Sequence, residues 1–136
     1  MKKGIILTII SVVISCIAIS QSSFNMSLLH HWKDSTITGS TLYDNSFNEI
    51  WGYANNGREY AIIGTSRGTH FFDVTNPSSP TQVDFVQGRD TGRYIVHRDY
   101  HDYKGYLYMV TDEGNGSLQI VDLSYLPDSV SVVYDQ

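Results

Sequence analysis

The stretch from Glu59 to Pro77, EYAIIGTSRGTHFFDVTNP, returns in altered form from Gly105 to Pro127 as GYLYMVTDEGNGSLQIVDLSYLP. Tyr60 falls on Tyr106 at an offset of 46, and Phe71-Phe72-Asp73-Val74-Thr75 falls on Ile120-Val121-Asp122-Leu123-Ser124 at an offset of 49. The match runs on, with Thr81, Val83 and Phe85 falling on Val130, Val132 and Tyr134 at the same 49. A period of this length, built from short strands, is the signature of a β-propeller or a related stacked array. Helical repeats fit worse. Tyr60-Ala61-Ile62-Ile63, Tyr106-Leu107-Tyr108-Met109-Val110 and Leu118-Gln119-Ile120-Val121 are short, rich in β-branched and aromatic residues, and bounded by Gly, Asn, Asp and Pro.

The fold class expected is therefore all-β, made of propeller-like four-stranded antiparallel blades. The first blade, about 47–87, is read as strands near Asn48 to Ala54, Glu59 to Gly64, Thr69 to Val74 and Thr81 to Val86. Asn55-Asn56-Gly57, Ser66-Arg67-Gly68 and Asn76-Pro77-Ser78-Ser79-Pro80 connect them with turn chemistry. The second, about 93–136, has strands near Tyr94 to Tyr100, Tyr106 to Thr111, Ser117 to Leu123 and Val130 to Tyr134. Within the polar segment 21–46, Leu28 to Trp32 resembles an outer strand with no inner strands before it. In many closed propellers the N-terminal strand completes the last blade, so this one is expected to await inner strands from sequence beyond Gln136. Two blades and a strand fall short of the roughly 4 to 8 blades of a propeller. The chain is thus expected to be a fragment or the product of a truncated gene, with a small sandwich or a ring of several short chains as the alternative.

Residues 1–20 read as an export signal: Lys2 and Lys3, an apolar run from Ile5 to Ile19, then small residues spaced for cleavage before Gln21. A transmembrane anchor is the competing reading, but about fifteen apolar residues are short of the roughly 20 that span a bilayer. Cys16 in Val13-Ile14-Ser15-Cys16 offers a third, a lipoprotein box, although the apolar run continues past it. It is the chain's one cysteine, so the processed chain would carry no disulfide and no thiolate nucleophile. Losing Lys2 and Lys3 leaves seven basic residues against fourteen acidic ones, a net charge of −7. That balance disfavours nucleic acid and anionic membrane as partners. Ten Tyr and two Trp point to amphipathic side chains buried in sheets or presented at a binding surface.

Several phrases carry a family likeness. Phe47-Asn48-Glu49-Ile50-Trp51-Gly52-Tyr53, Gly57-Arg58-Glu59-Tyr60-Ala61-Ile62-Ile63-Gly64 and Gly68-Thr69-His70-Phe71-Phe72-Asp73-Val74-Thr75-Asn76-Pro77 occur in order, followed by Asp112-Glu113-Gly114-Asn115-Gly116 and Leu118-Gln119-Ile120-Val121-Asp122-Leu123. Together they resemble the choice-of-anchor B family, secreted or surface bacterial proteins built from LVIVD-type repeats. The resemblance covers roughly Leu28 to Pro127. It implies an exported β-propeller-like domain, usually carried in a longer protein that is anchored at the cell surface. One phrase departs from the family: where it typically shows Trp-Arg-Asp, this chain has His97-Arg98-Asp99. Trp51 lies nine residues before Tyr60 and His97 nine before Tyr106, so the two are expected at equivalent places.

The densest polar cluster is His97-Arg98-Asp99-Tyr100-His101-Asp102. On an extended strand His97, Asp99 and His101 share one face, which could assemble a divalent metal site. The plainer reading is a polar strand lining a channel. Asp112-Glu113-Gly114-Asn115-Gly116 has the oxygen ligands that Ca²⁺ prefers but lacks the length of a calcium loop, and reads more simply as a hairpin turn. Asp73 and Asp122 are expected to accept backbone N–H groups in the turns that follow them. His30 and His31 are expected to alternate across a strand, one packed and one exposed. No nucleophile elbow or phosphate loop occurs. The functional expectation is a secreted or cell-surface module without catalysis or cofactor, binding an extracellular protein or glycan. Trp51, Tyr53, His97, Arg98 and Asp99 are its candidate contacts. The alternative is a metal-assisted hydrolase or lyase using His97, Asp99 and His101.

Overall fold

The computed structural model describes residues 25–136 apart from position 93. The export signal expected over residues 1–20, Cys16 included, lies outside the described residues. The described chain is all-β, with two four-stranded antiparallel sheets and no helix. In the first sheet β1 (Phe47–Asn55), β2 (Arg58–Thr65), β3 (Gly68–Asp73) and β4 (Thr81–Gln87) follow one another in order. In the second β5 (Arg98–Tyr103), β6 (Tyr106–Thr111), β7 (Ser117–Asp122) and β8 (Ser131–Asp135) do the same.

Turn residues set this connectivity. Asn56 (φ 51°) and Gly57 (φ 76°) close β1 onto β2, and Lys104 (φ 49°) and Gly105 (φ 81°) close β5 onto β6. Positive φ at both central residues matches the twist of paired strands, which is why two-residue hairpins favour it. After β3 and β7 the expected carboxylate turns are present: the Thr75 N–H donates to Asp73 Oδ1 at 2.9 Å and the Ser124 N–H to Asp122 Oδ1 at 2.8 Å. Hydrogen bonds from Thr75 hold the Asp73 carboxyl below its ordinary value, with Arg58 adding to them at 2.6 Å.

Alternation gives each sheet two unlike faces. In the first sheet Ile62 pairs with Phe71, and both are fully buried on the face turned toward the second sheet. There they meet Tyr100, Leu107, Met109, Val121 and Leu123 in one core. Burying a large apolar side chain contributes roughly 1.5–3 kcal/mol, so this interface is a main source of stability. The repeat makes the contact asymmetric. Ile62 corresponds to Tyr108 and Phe71 to Ile120, yet Tyr108 and Ile120 lie on the far face of the second sheet, partly exposed. The front of the first sheet therefore packs on the back of the second. Trp51 donates Nε1–H to Asp102 at 2.9 Å and Asn48 donates to the Arg98 carbonyl at 2.9 Å, which fixes β1 beside β5.

Three expectations are corrected. Leu28 to Trp32 forms no strand: Leu28 is 83% exposed, and His30 and His31 are both exposed rather than alternating. An extended segment becomes a strand only against a partner edge, and this one is held instead by the Trp32 ring. That ring lies 4.8 Å from Phe72, 4.9 Å from His70 and 5.5 Å from Phe47, on the back of the first sheet. The strand expected over 94–100 begins at Arg98 and runs to Tyr103. Ahead of it, the Val96 and His97 N–H groups donate to the Glu113 carboxylate instead of to a ladder. Finally, Trp51 and His97 are not equivalent. Tyr53 pairs with Tyr60 and Tyr103 with Tyr106, but the first hairpin carries two further pairs, Ala54 with Glu59 and Asn55 with Arg58. Counting through a hairpin of different length shifts the register, and the true counterpart of Trp51 is His101.

Candidate functional site

Two clefts divide the residues that the sequence singled out. The first, about 350 Å³, is lined by Asn48, Glu49, His97, Arg98, Asp99 and Asp112 among others. The second, about 440 Å³ and more open, runs along β1 and β2 past Trp51, Tyr53, Tyr60, Ala61 and Val74. Trp51 and Tyr53 therefore do not share a site with His97, Arg98 and Asp99.

In the first cleft His97 sits just ahead of β5, half-exposed, its ring edge-on to Tyr43 at 4.6 Å. Its Nδ1 hydrogen-bonds Glu113 Oε1 and lies 3.9 Å from Asp112 Oδ1. Glu113 Oε2 accepts the backbone N–H groups of His97 at 2.8 Å and Val96 at 3.1 Å. Burial pushes the Glu113 carboxyl up, but the donors from His97 and Val96 outweigh it and hold the group below its ordinary value. A carboxylate on Nδ1 keeps a neutral imidazole in the Nδ1–H tautomer, with Nε2 the free acceptor. Glu113 was missed at the sequence level. The signal lay in the register: once Arg98 pairs with Thr111, residues 112 and 113 must lie across from 97 and 96.

Arg98 lines this cleft with little of its surface, being 4% exposed. Its Nε donates to the Thr65 carbonyl at 2.8 Å and its Nη2 to the Asp90 carbonyl at 2.8 Å. Gly88 makes room for it, since a Cβ there would stand 2.3 Å from Nη2. Burial pushes the guanidinium below its ordinary pKa. Arg98 is thus a strap from the second sheet to the first and to the linker between them, with its two described donors committed to carbonyls.

Asp99 and His101 lie together on the front of β5, both exposed, while His97, which lines the first cleft with Asp99, sits just ahead of the strand. His101 packs its ring 5.4 Å from Trp51. The ligand atoms that do gather are those of His97, Asp112 and Glu113, all within 4.8 Å of one another. One imidazole and two carboxylates suit a borderline divalent cation, but Glu113 already serves three donors from His97 and Val96.

The second cleft is aromatic. The Tyr53 ring lies 6.1 Å from Tyr60, and burial, helped by the Asp102 charge, pushes the Tyr53 hydroxyl up. Trp51 is fixed by its bond to Asp102, with small residues, Gly52 and Ala61, beside it on the cleft wall. The partly exposed indole of Trp51 and phenol of Tyr53 are suited to contact with a sugar ring or the side chain of a protein partner.

No family model, curated protein or solved structure matches this chain.

Proposed function

We propose that this chain is an exported interaction module on the plan of the choice-of-anchor B family, its two sheets serving as successive propeller-like blades that present a binding cleft to an extracellular glycan or protein. The front-to-back stacking of repeated sheets supports the blade reading, because a propeller is generated by repeating such a contact around an axis. The observation that carries the binding reading is the aromatic cleft of Trp51, Tyr53 and Tyr60, whose rings are held in place by Asp102 and by each other. Preorganised aromatic surface binds at low entropic cost.

A panel of immobilised oligosaccharides, probed with the wild type, Trp51→Ala and Tyr53→Ala, tests it. Binding that both substitutions weaken supports the cleft, whereas ligands retained equally by both variants place recognition elsewhere. The gathering of His97, Asp112 and Glu113 favours a second reading, a divalent-metal site serving hydrolysis or lysis. Chelator treatment followed by reloading with Zn²⁺ or Mn²⁺ separates the two. Stoichiometric metal in the wild type that is lost in His97→Ala would overturn the metal-free binding module.

A further inference from the structure

Among the described residues, the front of the second sheet is the uncovered counterpart of a buried face. Tyr106, Tyr108 and Val110 on β6 occupy the places of Tyr60, Ile62 and Gly64 on β2, and Leu118 and Ile120 on β7 those of Thr69 and Phe71 on β3. In the first sheet all five of those positions are buried beneath the back of the second sheet. In the second sheet Tyr106 is 38% exposed, Val110 43%, and Tyr134, paired with Ile120, 41%. An apolar front of this kind marks a contact surface.

The same correspondence says what fits it. Between the sheets, Tyr100 from the back of β5 reaches over Gly64, where an added Cβ would lie 2.9 Å from its hydroxyl, and that hydroxyl hydrogen-bonds Thr69 at 2.9 Å. On the uncovered front, Gly64 is replaced by Val110 and Thr69 by Leu118. On the back of the first sheet, the place of Tyr100 is taken by Ile50, which pairs with Ile63 and is 64% exposed. A Tyr–Thr hydrogen bond made over a glycine within the molecule is thus replaced by larger apolar side chains at Val110 and Leu118 and by Ile50 in the place of Tyr100. Ile50 on one copy suits Val110 and Leu118 on another, and each copy carries one surface of each kind.

We infer that the chain associates with itself head to tail, the front of the second sheet of one copy seating on the inner part of the back of the first sheet of the next. A heterologous contact of this kind propagates, closing a ring or extending a stack according to its angle. Trp32 lies over His70 and Phe72, whose counterparts Gln119 and Val121 are buried where the sheets meet, so it occupies the outer part of that same back face. Ile50 also lines the aromatic cleft, so seating of a second copy there would compete with a ligand in that cleft, whatever the ligand is.

Sedimentation velocity of the purified chain over a concentration series tests it, together with two single-cysteine chains in a Cys16→Ser background, Val110→Cys and Ile50→Cys. The expected result is species beyond the dimer as concentration rises, weakened about tenfold or more by Val110→Lys. Both altered side chains are substantially exposed, so circular dichroism should report an unchanged β spectrum. Mixed under oxidation, the two cysteine chains should form the Val110→Cys/Ile50→Cys heterodimer in preference to either homodimer. A chain that stays monomeric at every concentration overturns the inference. So does a dominant Val110→Cys homodimer, which would mean front-to-front pairing.

Discussion

Replacing Arg98 separates a structural strap from a ligand contact. In Arg98→Met the side chain keeps its length but the carbonyls of Thr65 and Asp90, each accepting at 2.8 Å, lose their donor. Hydrogen bonds to a charged donor contribute roughly 1.5–3 kcal/mol each, so losing two costs about 3–6 kcal/mol. Those values are already net of desolvation, so the expected loss of about 3–6 kcal/mol is a large share of the roughly 5–15 kcal/mol that holds a small domain. Arg98→Lys keeps the charge but reaches one carbonyl and should fall between wild type and Arg98→Met. Urea denaturation followed by tryptophan fluorescence reads the change. Native-state hydrogen exchange adds a signature that simple cavity formation would not give: amides of β5 to β8 should exchange separately from those of β1 to β4 once the strap is cut. An Arg98→Met chain within about 0.5 kcal/mol of wild type, with both sheets still opening together, would refute the strap.

The His70 ring is buried between Trp32 and Phe85, 4.5 Å from the latter, and burial lowers its pKa from 6.5. The unfolded chain therefore takes up that proton first, and stability should fall as pH drops below 6.5 until the folded value is passed. His70→Phe should flatten that limb of a thermal-denaturation pH profile, and an unchanged limb would count against it. Glu113 is held below its ordinary value, so its contribution is present above pH 4.5 and lost as pH falls through the folded value. Glu113→Gln should remove that loss, and nuclear magnetic resonance should show faster exchange of the Val96 and His97 amides. Gly57→Ala forces a β-carbon into a left-handed turn position, φ 76°, and should cost about 1 kcal/mol by chemical denaturation. Trp51→Phe removes the bond to Asp102 and should cost about 1 kcal/mol by the same measurement.

Much of the sheet architecture was legible because local chemistry and the repeat agreed. Asn56-Gly57, the alternation in Tyr60 to Gly64 and the carboxylates Asp73 and Asp122 each point to the element they occupy. Seven strands stand within a residue or two of where their sequence places them. The failures have one source, interactions between distant segments. Nothing local says that Glu113 will draw the Val96 and His97 amides out of a ladder, or that Lys104-Gly105 will close a hairpin shorter than the one at Asn56-Gly57. Arg98 looked like a ligand contact because a charged residue beside His and Asp suggests a site, yet its partners are carbonyls from β2 and the linker. Leu28 to Trp32 has strand composition, but composition supplies no neighbouring edge.

The consecutive strand order has a consequence for how the chain acquires its structure. Every strand in each sheet pairs with the one made just before it, from β1 with β2 through to β7 with β8. Contacts of short sequence separation carry the least loop-closure cost and form fastest. A chain emerging N-terminus first can complete the first sheet before β5 exists, leaving Ile62 and Phe71 as a waiting apolar floor. The second sheet then assembles strand by strand on a template already in place. Synthesis order and packing order coincide, and a pause in emergence between Gln87 and Arg98 would give the first sheet time to form.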